Sequence, residues 1–348
     1  MGLRGEIARD MGGHGEVAVR PEWRRLVVCA HLRRLAASSS PILVGPWRSE
    51  VGFEALYWLP FLRWAVQYAK LNPKRLVVVS RGGAGALYGA PAVDLYQLRS
   101  VEAVRRENVY DWTRAKVQKQ MRCTPWDRDV LREAAAQALG RRERYHVLHP
   151  SWMYWALEPF WEEHRGLRHV SSMTDFAPLA TPPVTDVELP PKYVAMKWYD
   201  RATFSRADAK VQEAVAQITG IVGAQTHIVM LSSGLATDEH ADFEVQHPRI
   251  VRLPVRQPDQ NLWLQIQVLG RAAAFVGTYG GMAQMALRLR VPSASFYESF
   301  GGTAHAHLSL SHMVGIKTHV PFLTGNFEDA NLWRQIVSVP VAGDAQNA

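Results

Sequence analysis

The chain has 348 residues, with 47% hydrophobic and 21% charged side chains. That length admits two domains of ordinary size, and the composition excludes a disordered or low-complexity chain. The formal net charge of +8 suits anionic ligands, and two cysteines, Cys29 and Cys123, exclude a disulfide scaffold and give no metal-ligand spacing. A reducing, cytoplasmic setting is expected, and no apolar run reaches the ~18 residues needed to span a bilayer.

Residues 1–40 carry seven arginines against four acids and read as a flexible basic arm. Leu26 to Leu35 is compatible with a short basic amphipathic helix, which leaves peripheral contact with the inner face of a membrane open. The charge is interleaved with acids elsewhere, and no helix-turn-helix, RNA-recognition or zinc-finger pattern accompanies it, so no specific nucleic-acid partner is expected.

Pro41-Ile-Leu-Val44 reads as a short strand, followed by Gly45-Pro-Trp-Arg-Ser-Glu-Val-Gly-Phe-Glu54 and an amphipathic helix from Phe53 to Lys70. Pro60 should kink that helix. Arg75 to Ser80 is a buried strand that ends in Arg81-Gly-Gly-Ala-Gly85, whose spacing does not match a dinucleotide fingerprint. Asp127 to Leu139 reads as a helix and Tyr145 to His149 as a strand. Asp127-Arg-Asp129 follows Thr124-Pro-Trp, so N-terminal capping explains it better than metal binding. Alternating strands and helices imply a parallel sheet covered on both faces.

Prolines at 178, 182, 183, 190 and 191 mark a joint, after which the pattern restarts. Strands are expected at 193–198, 226–231 and 249–253, with helices at 207–218 and 261–269. The most informative stretch comes next. Ala273 to Val276 is an apolar run closed by Gly277, Gly280 and Gly281 form a turn, Met282 to Leu289 has helical spacing, and Val291 to Phe296 is another strand. Glu298 falls just past its carboxyl end. A helix N-terminus after a Gly-Gly turn offers N–H groups and a positive dipole end to a phosphate.

Val276-Gly-Thr-Tyr-Gly-Gly-Met-Ala-Gln284, followed by helix, strand and acid, resembles the sugar-nucleotide half of GT-B glycosyltransferases. The resemblance extends over roughly residues 41–335 and is specific mainly at 274–298. It implies an α/β fold of two Rossmann-like domains facing a central cleft. The expected division is a basic arm (1–40), an acceptor-side domain (41–180), a linker (181–192), a nucleotide-sugar domain (193–335) and a tail (336–348). It further implies transfer of a sugar from a nucleotide-sugar donor to a glycan or small-molecule acceptor, with no metal and no cofactor beyond that substrate.

By this resemblance Thr278, Tyr279, Gly280, Gly281 and Gln284 would approach the donor diphosphate and Glu298 the ribose. Lys197 and Arg201, at the end of the second domain's first strand, would stabilise the leaving group. On the acceptor side Ser49, Gly52 and Arg81 would line the cleft, with Glu50 as general base if the reaction inverts. Helix capping is the competing reading of Ser49, Glu50 and Glu54. His305, His307 and His312 lack the carboxylate or cysteine partners of a metal site. Trp152, Trp155 and Trp161 read as core or interface residues. Two other functions remain compatible with the pattern: a nicotinamide-dependent oxidoreductase or sugar-nucleotide epimerase on a doubly wound fold, and a non-catalytic basic module binding nucleic acid or membrane.

Overall fold

Two parallel sheets with the same internal strand order organise the chain. The computed structural model describes residues 21–113, 120–140, 144–161, 166–183, 186–200, 208–231, 241–242, 245–298 and 302–338. In the first unit β1 (Ile42–Val44), β2 (Leu76–Ser80), β3 (Ala92–Asp94) and β4 (His146–Leu148) lie in the order β3-β2-β1-β4. In the second, β5 (Tyr193–Lys197), β7 (His227–Met230), β9 (Ile250–Arg252), β10 (Ala274–Thr278), β11 (Ser293–Tyr297) and β12 (Phe322–Asn326) form β12-β11-β10-β5-β7-β9. A short antiparallel pair, β6 (Tyr199–Asp200) and β8 (Ala241–Asp242), stands apart.

Ranked by appearance in the chain, the large sheet reads 3-2-1-4-5-6, the Rossmann order, and the small one reads 3-2-1-4. Each has a switch point where the order reverses: between β1 and β4 in the first unit, and between β5 and β10 in the second. Ligands of such sheets bind at the carboxyl ends of the strands at those points.

The alternation of side chains along each strand sorts the core. Ile42, Val44, Leu76 and Val78 join one apolar cluster, while Leu43, Val77 and Val79 face another on the opposite side of the sheet. In β5, Tyr193 and Ala195 join the cluster shared with the first unit, and Val194 and Met196 are buried in a second cluster on the opposite face of the sheet. One face of each sheet contributes to a single continuous cluster, so the units are packed together.

Helix α1 (Pro21–Ala36) buries Val28, Cys29, Leu32 and Leu35. Residues 21–36 are therefore a docked part of the first unit, not a flexible arm; residues 1–20 lie outside the described part. Helix α2 runs through Val51–Phe53, a π-helical turn Glu54–Trp58 and Leu59–Ala69. The expected kink at Pro60 takes the form of that π turn: the Leu59 N–H donates to Glu54 O, five residues back, one position before the proline that has no N–H to give. Further on are α3 (Leu95–Leu98), α4 (Val101–Thr113), α5 (Pro125–Ala138), α6 (Ser151–Trp161), α7 (Leu167–Ser171), α8 (Ala209–Gln225), α9 (Pro258–Leu269), α10 (Gly281–Arg288), α11 (Gly302–Thr318) and α12 (Ala330–Ser338).

The proline-rich joint is anchored. Arg288 donates to Ala177 O at 2.9 Å, Leu179 N–H returns a bond to Arg288 O at 2.9 Å, and Pro182 packs on Gly270. At the other end the expected tail begins too early, because Val337 is buried in α12; residues 339–348 lie outside the described part. Trp152, Trp155 and Trp161 pack against the core, as expected.

Candidate active site

The loop from β1 to α2 is irregular, so its backbone polar groups need partners. Gly45 N–H donates to Leu148 O (3.1 Å) and Trp47 N–H to Val79 O (2.8 Å). Gln120 accepts from the N–H groups of Arg48 and Ser49 at 3.0 and 3.1 Å and donates to Pro46 O at 2.5 Å. Asn108 donates to Arg48 O at 2.9 Å. Arg81, at the end of β2, donates through Nε (3.1 Å) and Nη2 to Ser49 O, and Tyr154 OH donates to Ser49 Oγ at 3.3 Å.

Beneath this loop the Arg48 guanidinium is buried. It donates to Asp111 Oδ2 (2.6 Å), Asn108 Oδ1 (2.7 Å) and Asp127 Oδ1 (3.1 Å). Asp127 also closes a capping box with Thr124 at the start of α5, as its sequence position implies, and lies 3.5 Å from His149 Nε2. Burial by itself would raise the Asp127 pKa. The His149 ring 3.5 Å away and the Arg48 charge outweigh that and hold it well below the carboxylate range.

These bonds set the start of α2, where Glu50 is the N-cap with extended backbone angles and no side-chain capping bond. The capping role open to Glu50 is therefore not the one it plays. Glu54 does not cap either. It is fully buried, and its Oε1 accepts from Tyr88 OH (2.6 Å) and Ser80 OH (3.3 Å). Its Oε2 lies 3.9 Å from Arg81 Nη1. Burial raises the Glu54 pKa, and Arg81 offsets that only in part.

The N-terminus of α2 abuts that of α10. A Cβ on Gly281 would lie 3.0 Å from Gly52 N and 3.1 Å from Val51 Cβ, and one on Gly52 would collide with Gln284 Oε1. Neither helix is capped by the side chain of its N-cap residue. Two positive dipole ends, one from each unit, thus meet at the carboxyl ends of β1 and β10.

Around α10 the expected donor residues do come together. Thr278 Oγ1 accepts from Tyr199 N–H at 3.2 Å, Tyr199 OH donates to Tyr279 O at 3.0 Å, and Gln284 Nε2 donates to Tyr279 OH at 3.4 Å. The reason for glycine at 280 is space. Its φ of 166° is extended backbone, but a Cβ there would collide with Tyr199 Oη. Neither Gly280 nor Gly281 adopts a backbone conformation reserved for glycine, contrary to what the Gly-Gly turn suggests. Gly82 and Gly83 do, at φ 65° and 80°, and they pack on Leu262 and Trp263 of α9. That second glycine turn is structural, with Gly83 N–H donating to Asp94 Oδ2 at 2.7 Å.

Lys197 ends β5 at the switch point, but its ammonium turns toward β7. It donates to Leu231 O (2.8 Å) and Gln265 Oε1 (3.1 Å) and pairs with Asp242 at 3.4 Å. Its three donors are thus engaged by protein, unlike the leaving-group cation the sequence suggests. Burial lowers its pKa, with Asp242 opposing. Glu298 is half-buried just past β11, one strand further out than the glycine turn. Arg201 lies outside the described residues. His307 accepts or donates across the units to Tyr57 OH at 2.6 Å, and His312 meets Thr324 Oγ1 at 3.1 Å. Among the described residues no group of three or more His, Cys, Asp or Glu is arranged to hold a metal ion, and no helix is long and apolar enough to cross a membrane.

The sequence reading missed Gln120, Arg48 and Tyr199. Only Tyr199 had a local signal, an aromatic two residues after Lys197 at the end of a strand. Gln120 and Arg48 are 72 residues apart in sequence, and nothing local marks their pairing.

No protein-family model matches the chain, and no curated protein matches it. Among solved structures, the dodecameric iron-containing heptosyltransferase TibC, in complex with ADP-D-beta-D-heptose, is similar with a TM-score of 0.38 at 11% identity. That match takes in 76% of this chain and 60% of TibC. The E. coli heptosyltransferase WaaC, solved with ADP, has a TM-score of 0.41 at 11% identity over 85% of this chain and 98% of that one. A UDP-N-acetylglucosamine 2-epimerase assigned in Listeria monocytogenes has a TM-score of 0.38 at 10% identity, over 86% and 87%. These are likenesses of fold. The two-unit α/β architecture itself stands on the strand orders of this chain.

Proposed function

We propose that the chain is a glycosyltransferase that moves a sugar from a nucleotide-sugar donor to a sugar-bearing or small-molecule acceptor. The observation that carries this reading is the meeting of two helix N-termini, Val51–Gly52 and Gly281, with no N-cap side chain bonded to either. Two positive ends pressed together suit an anion of high charge, and a diphosphate offers one.

In this reading the donor diphosphate lies against the first turn of α10, beside Thr278, Tyr279, Gly280, Gly281 and Gln284, with Glu298 toward the ribose. Glu50 takes the proton of the acceptor hydroxyl as its oxygen attacks the anomeric carbon. The bond from that carbon to the diphosphate breaks, and the departing nucleoside diphosphate carries the electron pair. Backbone donors of the two helices stabilise the developing charge. Ser49, Gly52 and Arg81 shape the acceptor side. Lys197 enters as a brace for the β5–β7 edge of the crevice, and Arg201 keeps the leaving-group role. The reaction runs in the reducing cytosol, in keeping with the free thiols of Cys29 and Cys123.

The strand order 3-2-1-4-5-6 alone would also suit a nicotinamide enzyme. A dinucleotide fold, however, places its glycines directly after the first strand of that sheet. Here β5 is followed by Trp198-Tyr-Asp-Arg-Ala-Thr-Phe204, which has none. Incubation with a panel of nucleotide sugars tests the proposal. Release of a nucleoside diphosphate, reduced strongly in Glu50→Gln, is the expected result. Conversion of the sugar nucleotide without release would assign an epimerase, and NAD(H)-linked turnover would assign an oxidoreductase.

A further inference from the structure

The loop that delivers Glu50 has no regular structure of its own, and one side chain from a distant segment grips it on both flanks. Gln120 is fully buried. Its carbonyl oxygen receives the N–H groups of both Arg48 and Ser49, and its amide nitrogen donates to Pro46 O. Three of the four polar positions a primary amide offers are thus spent on backbone within four consecutive residues. The residue is itself held unusually. Its φ is 65°, in the left-handed region that non-glycine residues enter at a cost. Its own N–H donates at 3.2 Å to Asp111 Oδ2, the oxygen that receives Arg48 Nη2. Backbone and side chain of Gln120 therefore both converge on the Arg48–Asp111 pair.

We propose that Gln120 is a positioning residue: by fixing Pro46, Arg48 and Ser49 it places Glu50, and with it the start of α2, against α10. This rests on the transferase reading above and adds to it the group that holds the first unit's half of the site in register. Thr278 to Gln284, the second unit's share of the donor site, lie on β10, α10 and the turn between them, while the start of α2 is the first unit's share. Loss of the grip therefore acts first on the placement of the base and lowers kcat more than donor affinity. A residue that only supported the fold would lower both together, or neither.

Gln120→Asn is the variant of choice. Asparagine keeps an amide and suits the left-handed backbone, but it is one methylene too short to span Pro46 and Arg48. Gln120→Met, similar in length and without hydrogen bonds, is its companion. Both variants should lower kcat by about 10- to 100-fold, the scale of a catalytic group displaced by about 1 Å. Donor Kd, read by calorimetry with the nucleoside diphosphate that the wild type releases, should weaken by the smaller factor, less than about fivefold. Wild-type kcat in a folded Gln120→Asn protein would overturn the proposal. So would equal losses in kcat and donor affinity. A measurement on the wild type needs no variant: hydrogen exchange should find the Arg48 and Ser49 amides strongly protected, and exchange at the rate of an open loop would overturn the placement. A wild type that releases no nucleoside diphosphate from any nucleotide sugar fails the transferase reading itself, which distinguishes that failure from a failure of Gln120.

Discussion

Gly52 lies so close beneath Gln284 that a Cβ on the glycine would collide with Gln284 Oε1. This contact joins the first turn of α2 to the first turn of α10, and therefore one unit to the other. Gly52→Ala should force Gln284 aside and part the two helix ends. The expected cost is about 1–3 kcal/mol, typical of overpacking a tight contact, together with weaker binding of a nucleoside diphosphate. Urea unfolding and calorimetry check both effects. Unchanged values would show that the units slide past one another without penalty.

The Arg48 cluster makes a second prediction. Arg48→Met would leave Asp111 and Asp127 buried without their guanidinium, at a cost of about 3–5 kcal/mol. The sign of the pH dependence follows from Asp127, whose carboxyl is held below its ordinary value in the fold. Its contribution is present above the unfolded pKa of about 4 and is lost as pH falls toward the folded value. Wild-type stability should therefore decline below about pH 4, and Arg48→Met should weaken that dependence. Thermal melts from acid to neutral pH read both.

Much of this architecture could be read from the chain. Strands such as Leu76–Ser80 and Ala274–Thr278 stood out because short apolar runs end in glycine or serine, and the capping box at Thr124 and Asp127 is a local pattern. What could not be read was side-chain direction over long distances. Lys197 sits where expected at the end of β5, yet Asp242, Gln265 and Leu231 turn its ammonium away from the glycine turn. Gly280 is glycine because of Tyr199, 81 residues earlier. Such pairings depend on how the two switch points are brought together, and no local periodicity records that.

Two other carboxyls shift the opposite way. Asp94, which holds the Gly83 and Tyr96 N–H groups, is raised to about 6 by burial, and Glu54 is raised by burial as well. A raised folded pKa favours the neutral acid in the fold. The associated stability is present below about pH 4 and is lost as pH rises, through about 6 for Asp94. Asp94→Asn should flatten this part of the profile, by on the order of 1–2 kcal/mol. Chemical denaturation at several pH values between these limits would show it; parallel profiles for the two proteins would remove Asp94 as the source.

Lys197 and Glu298 separate brace from ligand. Lys197→Ala would remove the ammonium from Asp242, Gln265 and Leu231 and loosen the β5–β7 edge, so both melting temperature and turnover should fall. Glu298→Ala should leave the melting temperature unchanged and raise the donor KM about 10- to 100-fold, as expected for loss of one hydrogen bond to a charged group. Equal donor KM in that variant would return Glu298 to a surface role.

On the transferase proposal the paired helix ends hold a nucleoside diphosphate. The most direct test is a thermal-shift comparison of the wild-type protein with UDP, GDP, dTDP, CMP, ADP and NAD(H), since a ligand that binds the native state must raise its melting temperature. A clear rise with one nucleoside diphosphate is expected, diminished in Gly281→Val, whose side chain would press on Val51 and Gly52 and force the helix ends apart. A rise with NAD(H) alone, or none with any of the nucleotides, would contradict it.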